Sequence, residues 1–175
     1  MTHAAPRKLP WLLLLSALII VADRFTKSLV SSRIALGDAI TVIPGFLRIT
    51  HWLNEGAAFS LFADSAQPNA VRWGLIAFSA IAGIAVLIAL VRLGSRISLT
   101  TVALALVFGG ALGNLHDRIR YGSVVDFIEV HILGYHWPDF NVADSCIVIG
   151  ACLLLLDSLL PHKEAEASSV EAEQP

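Results

Sequence analysis

The sequence predicts a membrane protein, mainly α, with four transmembrane helices and both termini cytoplasmic. It also predicts a small β-rich extracytoplasmic element, and an outer loop or helix between spans three and four. Three observations lead there. Apolar residues make up 56% of the 175 and charged residues 15%, against about 45–50% and ~25% in an ordinary soluble domain. Mean hydropathy is +0.73. Four stretches approach the ~20 apolar residues that cross a bilayer core as helix. The same balance excludes a disordered chain, a nucleic-acid binder and most soluble enzymes.

The first span runs from Leu9 to Val30, apolar through Ala22 and then interrupted by Asp23, Arg24 and Lys27. Its basic start (Arg7, Lys8) and Leu-rich core resemble a secretory signal. Ile20 stands where cleavage prefers a small residue, so the segment is read as a retained anchor. The loop 31–72 alternates turn formers (Gly37-Asp38, Pro44-Gly45, Asn54-Glu55-Gly56, Asp64-Ser65) with β-branched and aromatic runs, Ile40 to Ile43 and Phe46 to Leu53. That pattern predicts a small sheet outside the membrane. Span two covers 73–91 and span three 98–115, the latter carrying the small-residue run Gly109-Gly110-Ala111-Leu112-Gly113 suited to close helix packing. The loop 116–141 includes a β-rich stretch, Ser123 to Ile132, and span four covers 142–160. Residues 1–162 form one domain in this reading. Residues 163–175, with one Lys and four Glu, form a disordered acidic tail. Arg7, Lys8, Arg92 and Arg96 fall in the short segments on the side of the termini, which places that side in the cytoplasm. Cys146 and Cys152 are six residues apart on one helix, ~9 Å of rise, too far to bridge; small core positions are expected.

The polar residues are not scattered. Asp23 and Lys27 end span one, Asn114, Asp117 and Arg118 end span three, and Asn141 and Asp144 open span four. Asn54 and Asp126 lie in the outer loops. An up-and-down course places all of them at one membrane face, where ionisable groups are functional by default. Asp157, at the opposite end of span four, is expected to be a solvated interface residue. Asp144 has two readings: an N3 acid in a capping box with Asn141, or a site residue. Asp126, in Val124-Val125-Asp126-Phe127-Ile128, is either a solvated loop acid or half of a pair. Two carboxylates in a half-dry site do not both ionise easily, so one keeps a proton while the other accepts one from water. That arrangement suits peptide hydrolysis by an activated water. Other chemistries lack their residues: there is no His-Glu-x-x-His, no Gly-x-Ser-x-Gly and no phosphate-binding loop. His131 and His136 could meet a metal, but neither a metal nor a cofactor is expected.

Five stretches carry a resemblance to a known family. They are Asp23-Arg24-Phe25-Thr26-Lys27, Asn54-Glu55-Gly56-Ala57-Ala58-Phe59-Ser60, Gly110 through Arg118, Val124-Val125-Asp126-Phe127-Ile128 and Phe140-Asn141-Val142-Ala143-Asp144. In this order and spacing the chain resembles the bacterial lipoprotein signal peptidases (signal peptidase II) along nearly its whole length. The resemblance implies an aspartic endopeptidase of the bacterial inner membrane, with its site at the extracytoplasmic face. Its implied substrate is a prolipoprotein carrying diacylglycerol on its lipobox cysteine, cut just before that cysteine. It implies Asp126 and Asp144 as the catalytic dyad, with Asn54, Asn114, Arg118 and Asn141 lining the site, Gly56 beside it, and Asp23 and Lys27 in support. It also implies contact with membrane lipid and inhibition by cyclic peptide antibiotics. Two rivals remain on the residues alone. A small transporter or channel subunit would need polar residues through the full membrane thickness. A non-catalytic lipoprotein-binding scaffold could use the same Asn and Arg side chains.

Overall fold

A backbone without water must satisfy its own polar groups, so apolar runs of this length become helices. The computed structural model describes residues 8–56 and 68–160; the acidic tail and the Ala57 to Ser60 part of the second motif lie outside them. Helix α1 spans Leu9–Arg33, strands β1 and β2 span Ala39–Ile43 and Leu47–Asn54, and helices α2 and α3 span Pro68–Leu93 and Leu99–Arg120. Strands β3 and β4 span Val124–Ile132 and Tyr135–Phe140, and α4 spans Val142–Leu159. All four helices are long and apolar enough to cross a membrane. Side chains such as Phe25, Phe78, Ile81 and Leu155 are exposed on them, as suits a lipid-facing surface rather than a water-facing one.

Helix α3 is central and packs against α1, α2 and α4. The small-residue run is the reason it can. A methyl added at Gly110 would sit 2.4 Å from the Ala143 carbonyl oxygen of α4, and one at Gly113 would sit 2.8 Å from Asp23 Oδ2 of α1. At Gly109 the nearest atom, 2.9 Å away, is the Ser16 carbonyl oxygen. Ser16 Oγ crosses the same gap to donate to the Ala105 carbonyl at 2.8 Å. Two apolar clusters hold the ends of the assembly. Leu12, Leu90, Leu104 and Ala105 join α1, α2 and α3, while Val30, Ile34 and Phe127 join α1 to the sheet. The polar residues gather between them.

The four strands form one antiparallel sheet in the order β1-β2-β3-β4. The first pair falls where the turn formers of the 31–72 loop predict it. The segment between α3 and α4 is, among the described residues, a β-hairpin that completes the sheet: β3 falls on the β-rich stretch expected at Ser123 to Ile132, and β4 stands where a loop or helix was expected. Its Val-, Ile- and Phe-rich strand β3 pairs with β2 over Leu47↔Val130 to Asn54↔Val124. Helix α3 runs five residues past the expected span end, to Arg120, and stops at Gly122, whose φ of +84° is the left-handed conformation that closes a helix. Pairing of β3 with β4 slips by one residue between Ile128↔Phe140 and Val130↔Trp137, where Pro138 has no N–H for the ladder.

Two smaller expectations also change. Asp157 is half-buried and accepts a hydrogen bond from the Thr100 hydroxyl of α3, because the α3–α4 packing continues to that end. Cys146 and Cys152 are free, but Cys152 is exposed on α4 rather than in the core.

Candidate active site

Helix α4 opens with the capping box that its sequence suggested. Asn141 Oδ1 accepts from the Asp144 N–H at 2.9 Å, and Asp144 Oδ2 accepts from the Asn141 N–H at 3.2 Å. Capping uses only one of the two carboxylate oxygens. The other, Oδ1, accepts from Asn114 Nδ2 at 2.7 Å. Asp144 therefore starts the helix with one oxygen and meets Asn114 with the other.

Asp126 comes to the same place on β3, buried at 4% exposure. Its Oδ2 accepts from Asn54 Nδ2 at 2.9 Å and its Oδ1 from Asn141 Nδ2 at 2.8 Å. Asn54 reaches it from the neighbouring strand, two pairs along from the Trp52↔Asp126 partners. Burial and, second, the Asp144 charge push the Asp126 carboxyl up to about 7; the two asparagine bonds and the Lys27 charge oppose the rise.

The orientation of each asparagine is fixed by a group that can only donate. Asn114 Oδ1 faces the Lys27 ammonium at 2.9 Å, Asn141 Oδ1 faces the Asp144 N–H, and Asn54 Oδ1 faces the Gly56 N–H at 2.9 Å. An ammonium or a backbone N–H has no acceptor. Each amide must therefore turn its NH2 toward a carboxylate, and none can flip without setting donor against donor.

Lys27 is the hub beneath them. It is 2% exposed; its ammonium donates to Asp23 Oδ2 at 2.7 Å and to Asn114 Oδ1, and it forms an ion pair with Asp117 Oδ2 at 2.8 Å. Asp23 also accepts from the Ala143 N–H at 3.0 Å, an otherwise unpaired donor of the first turn of α4. Asp117 additionally pairs with Arg24, which donates to the Tyr121 hydroxyl at 3.0 Å. Asp117 and Arg24 belong to this network although the motif reading left them outside the site. The sequence signal was present: Asp117 follows Asn114 by three residues, one helical turn.

The two aspartates border a cavity of about 480 Å³ with Asn54, Asn114 and Arg118. Val124, Trp137, Pro138, Phe140, Ile147 and Val148 wall it. Of this wall only Val124 and Phe140 fall in the stretches singled out by sequence; Trp137 and Pro138 come from β4 and Ile147 and Val148 from the apolar body of α4. Arg118 donates to the Gly56 carbonyl at 3.1 Å, while its buried Nε has no acceptor among the described residues. All nine residues expected at the site thus lie in one connected network or at its edge.

Known proteins match this chain over most of its length. A family model described as Signal peptidase (SPase) II matches residues 15–160. The chain is 46% identical to a lipoprotein signal peptidase of Ectopseudomonas mendocina, over 92% of this chain and 94% of that one. It is 42% identical to a lipoprotein signal peptidase of Solibacter usitatus, over 86% and 91%. A solved bacterial membrane enzyme superposes with a TM-score of 0.70 at 34% identity, covering 95% of this chain and 94% of its own. A family match across nearly all of the four-helix domain, with two carboxylates set among asparagines at its polar end, makes this chain a member of the signal peptidase II family of membrane peptidases.

Proposed function

We propose that the chain removes signal peptides from diacylglyceryl-modified prolipoproteins by hydrolysis at the peptide bond just before the lipid-bearing cysteine, with Asp126 and Asp144 as the catalytic dyad. The observation that carries this reading is that the two carboxylates share one cavity and three amide donors, with one of them held near neutrality. At rest the pair shares one proton and titrates as a unit; the mechanism draws on that proton from Asp126. Asp144 takes a proton from a water as that water attacks the scissile carbonyl carbon. Asp126 donates a hydrogen bond to the carbonyl oxygen and then supplies the proton that the departing amide nitrogen needs. The products are the signal peptide's carboxylate and the free amine of the lipidated cysteine.

The chain's other residues fit supporting parts. The open Nε of Arg118 is available to a substrate carbonyl. The locked amides present donors where negative charge moves between carboxylates, without reorganising during the reaction. Ile147, Val148 and Ile149 line the cavity on α4, and the last two are also exposed on its outer surface. Acyl chains could remain in lipid along that side while the peptide reaches the dyad. In this reading the site lies at the extracytoplasmic face of the bacterial inner membrane, with both termini in the cytoplasm. Cyclic peptides that fill the cavity and contact both carboxylates are expected inhibitors.

The polar residues stop at one end of the bundle, which argues against a conduction path. A binding scaffold differs only in turnover. The deciding experiment is cleavage of a diacylglyceryl prolipoprotein by purified protein in detergent, wild type beside Asp126→Asn and Asp144→Asn. Both variants are expected to fold and to bind substrate while losing at least about a thousandfold in rate, the scale seen when a group of a cooperating pair is removed. Near-wild-type cutting by either variant would overturn the dyad. Binding without cutting by the wild type would favour the scaffold.

A further inference from the structure

The outer half of the sheet gathers a second set of ionisable side chains. Strand alternation puts Glu129 and His131 on one side of β3, and antiparallel pairing sets His136 of β4 opposite His131. His131 Nε2 lies 2.6 Å and His136 Nε2 3.3 Å from the same oxygen, Glu129 Oε1. The three atoms all fall within 4.8 Å of one another. Glu129 is buried, while both imidazoles reach the surface.

We infer that Glu129, His131 and His136 bind a divalent cation of the zinc class, with the remaining position left to water. Two imidazoles and one carboxylate are a donor set that zinc takes. In a tetrahedral site with bonds of ~2.0–2.1 Å, neighbouring donor atoms stand ~3.3 Å apart; His136 Nε2 already lies at that distance from Oε1, and His131 Nε2, at 2.6 Å, would open by about 0.7 Å to admit the ion. Hydrogen bonding alone accounts poorly for the crowding. Arg48 also donates to Oε1 at 3.0 Å, so three nitrogens converge on one oxygen that has two lone pairs. A cation at the convergence point lets both imidazoles face it through lone pairs. Arg48, opposite Glu129 in the β2–β3 register, then orients the carboxylate ligand from outside. Because Trp137, Pro138 and Phe140 follow His136 and wall the cavity, the bound ion would tie down the hairpin that shapes it. The inference does not depend on the peptidase reading, since its readout is the metal itself.

The test uses tag-free, full-length protein in detergent, stripped with chelator and titrated with Zn²⁺ and Co²⁺. Wild type is expected to bind one equivalent and, with Co²⁺, to show the visible bands of a tetrahedral centre. His131→Gln and His136→Gln should each weaken binding by about tenfold or more, and the double variant should abolish it. Metal-free melting temperatures check that the variants fold. In the wild type alone, X-ray absorption of bound zinc should show two imidazole ligands. An unchanged affinity in the double variant, fewer than two imidazoles at the zinc, or a wild type that binds no zinc at about 0.1 mM, far above the levels a dedicated site needs, would each overturn the assignment.

Discussion

Replacing Gly110 with Ala tests whether helix packing sets the geometry of the site. The new methyl carbon would lie 2.4 Å from the Ala143 carbonyl oxygen, 2.9 Å from Ile147 Cγ1 and 3.2 Å from the Ala143 carbonyl carbon. Ordinary contact begins near 3.4 Å, and the nearest obstacle is backbone, so α3 and α4 must separate by about 1 Å. Overpacking of this kind costs about 1–3 kcal/mol. The better helix propensity of Ala offsets about 0.5–1 kcal/mol of it, so the variant is expected to fold with a modest loss of stability. Activity should suffer far more. Asn114 lies one turn beyond Gly110, and Asp144 is the residue after Ala143. A 1 Å separation stretches their 2.7 Å bond beyond hydrogen-bonding range, and misplacement on this scale costs on the order of a hundredfold in rate. Gly74→Ala on α2 is the matched control, because nothing lies within 4 Å of its built methyl. The assay is the initial rate of prolipoprotein cleavage in detergent, with thermal unfolding measured on the same preparations. A folded Gly110→Ala protein that cuts at more than about half the wild-type rate would refute the link between packing and catalytic geometry.

Further predictions follow from charge. Asp126 holds its proton in the fold up to about pH 7, whereas in the unfolded chain it ionises near pH ~4. The folded state therefore binds the extra proton between those values, and this contribution to stability falls as pH rises across that window. Asp126→Asn should remove that part of the slope in a series of melting temperatures from pH 4 to 8; parallel curves for the two proteins would contradict the raised carboxyl. Cleavage should decline as pH rises through about 7, where the dyad loses its shared proton; a rate that stays level to pH 9 would count against Asp126 as proton donor. Lys27→Met leaves the buried Asp23 carboxylate without its ammonium and should destabilise the fold by about 3–5 kcal/mol. Adding Asp23→Asn to Lys27→Met should recover part of the loss in thermal unfolding, and no recovery would show that Asp23 is not the strained group.

Much of the architecture was legible because the signals were local. The four spans follow from apolar run length, β1 and β2 from alternation between turn formers, and the α3 contacts from the glycine run. The polar end could be assembled on paper because an up-and-down course brings the ends of spans one, three and four together. What the sequence concealed depends on pairing between distant segments. The β3–β4 hairpin turns at Leu133-Gly134, with φ of 51° and 84°, and Leu is not a residue that announces a left-handed turn. Without that turn, neither the cavity wall on β4 nor the approach of His136 to Glu129 can be read. Asp157 was misjudged for a related reason: hydropathy marks where a helix leaves the apolar layer, but not that Thr100 waits there on the neighbouring helix.

The double duty of Asp144 has a consequence for how this protein is born. One side chain both begins the last span and faces the cavity, so on the proposed dyad the seating of that span and the completion of the site are a single event. On that proposal, a chain whose final helix has not yet formed would lack one of its two carboxylates. The same economy governs experiment. Asparagine at position 144 keeps an acceptor oxygen for the Asn141 N–H at the cost of setting its NH2 against that of Asn114, whereas alanine removes the cap together with the acid and reports a mixture of misfolding and lost turnover.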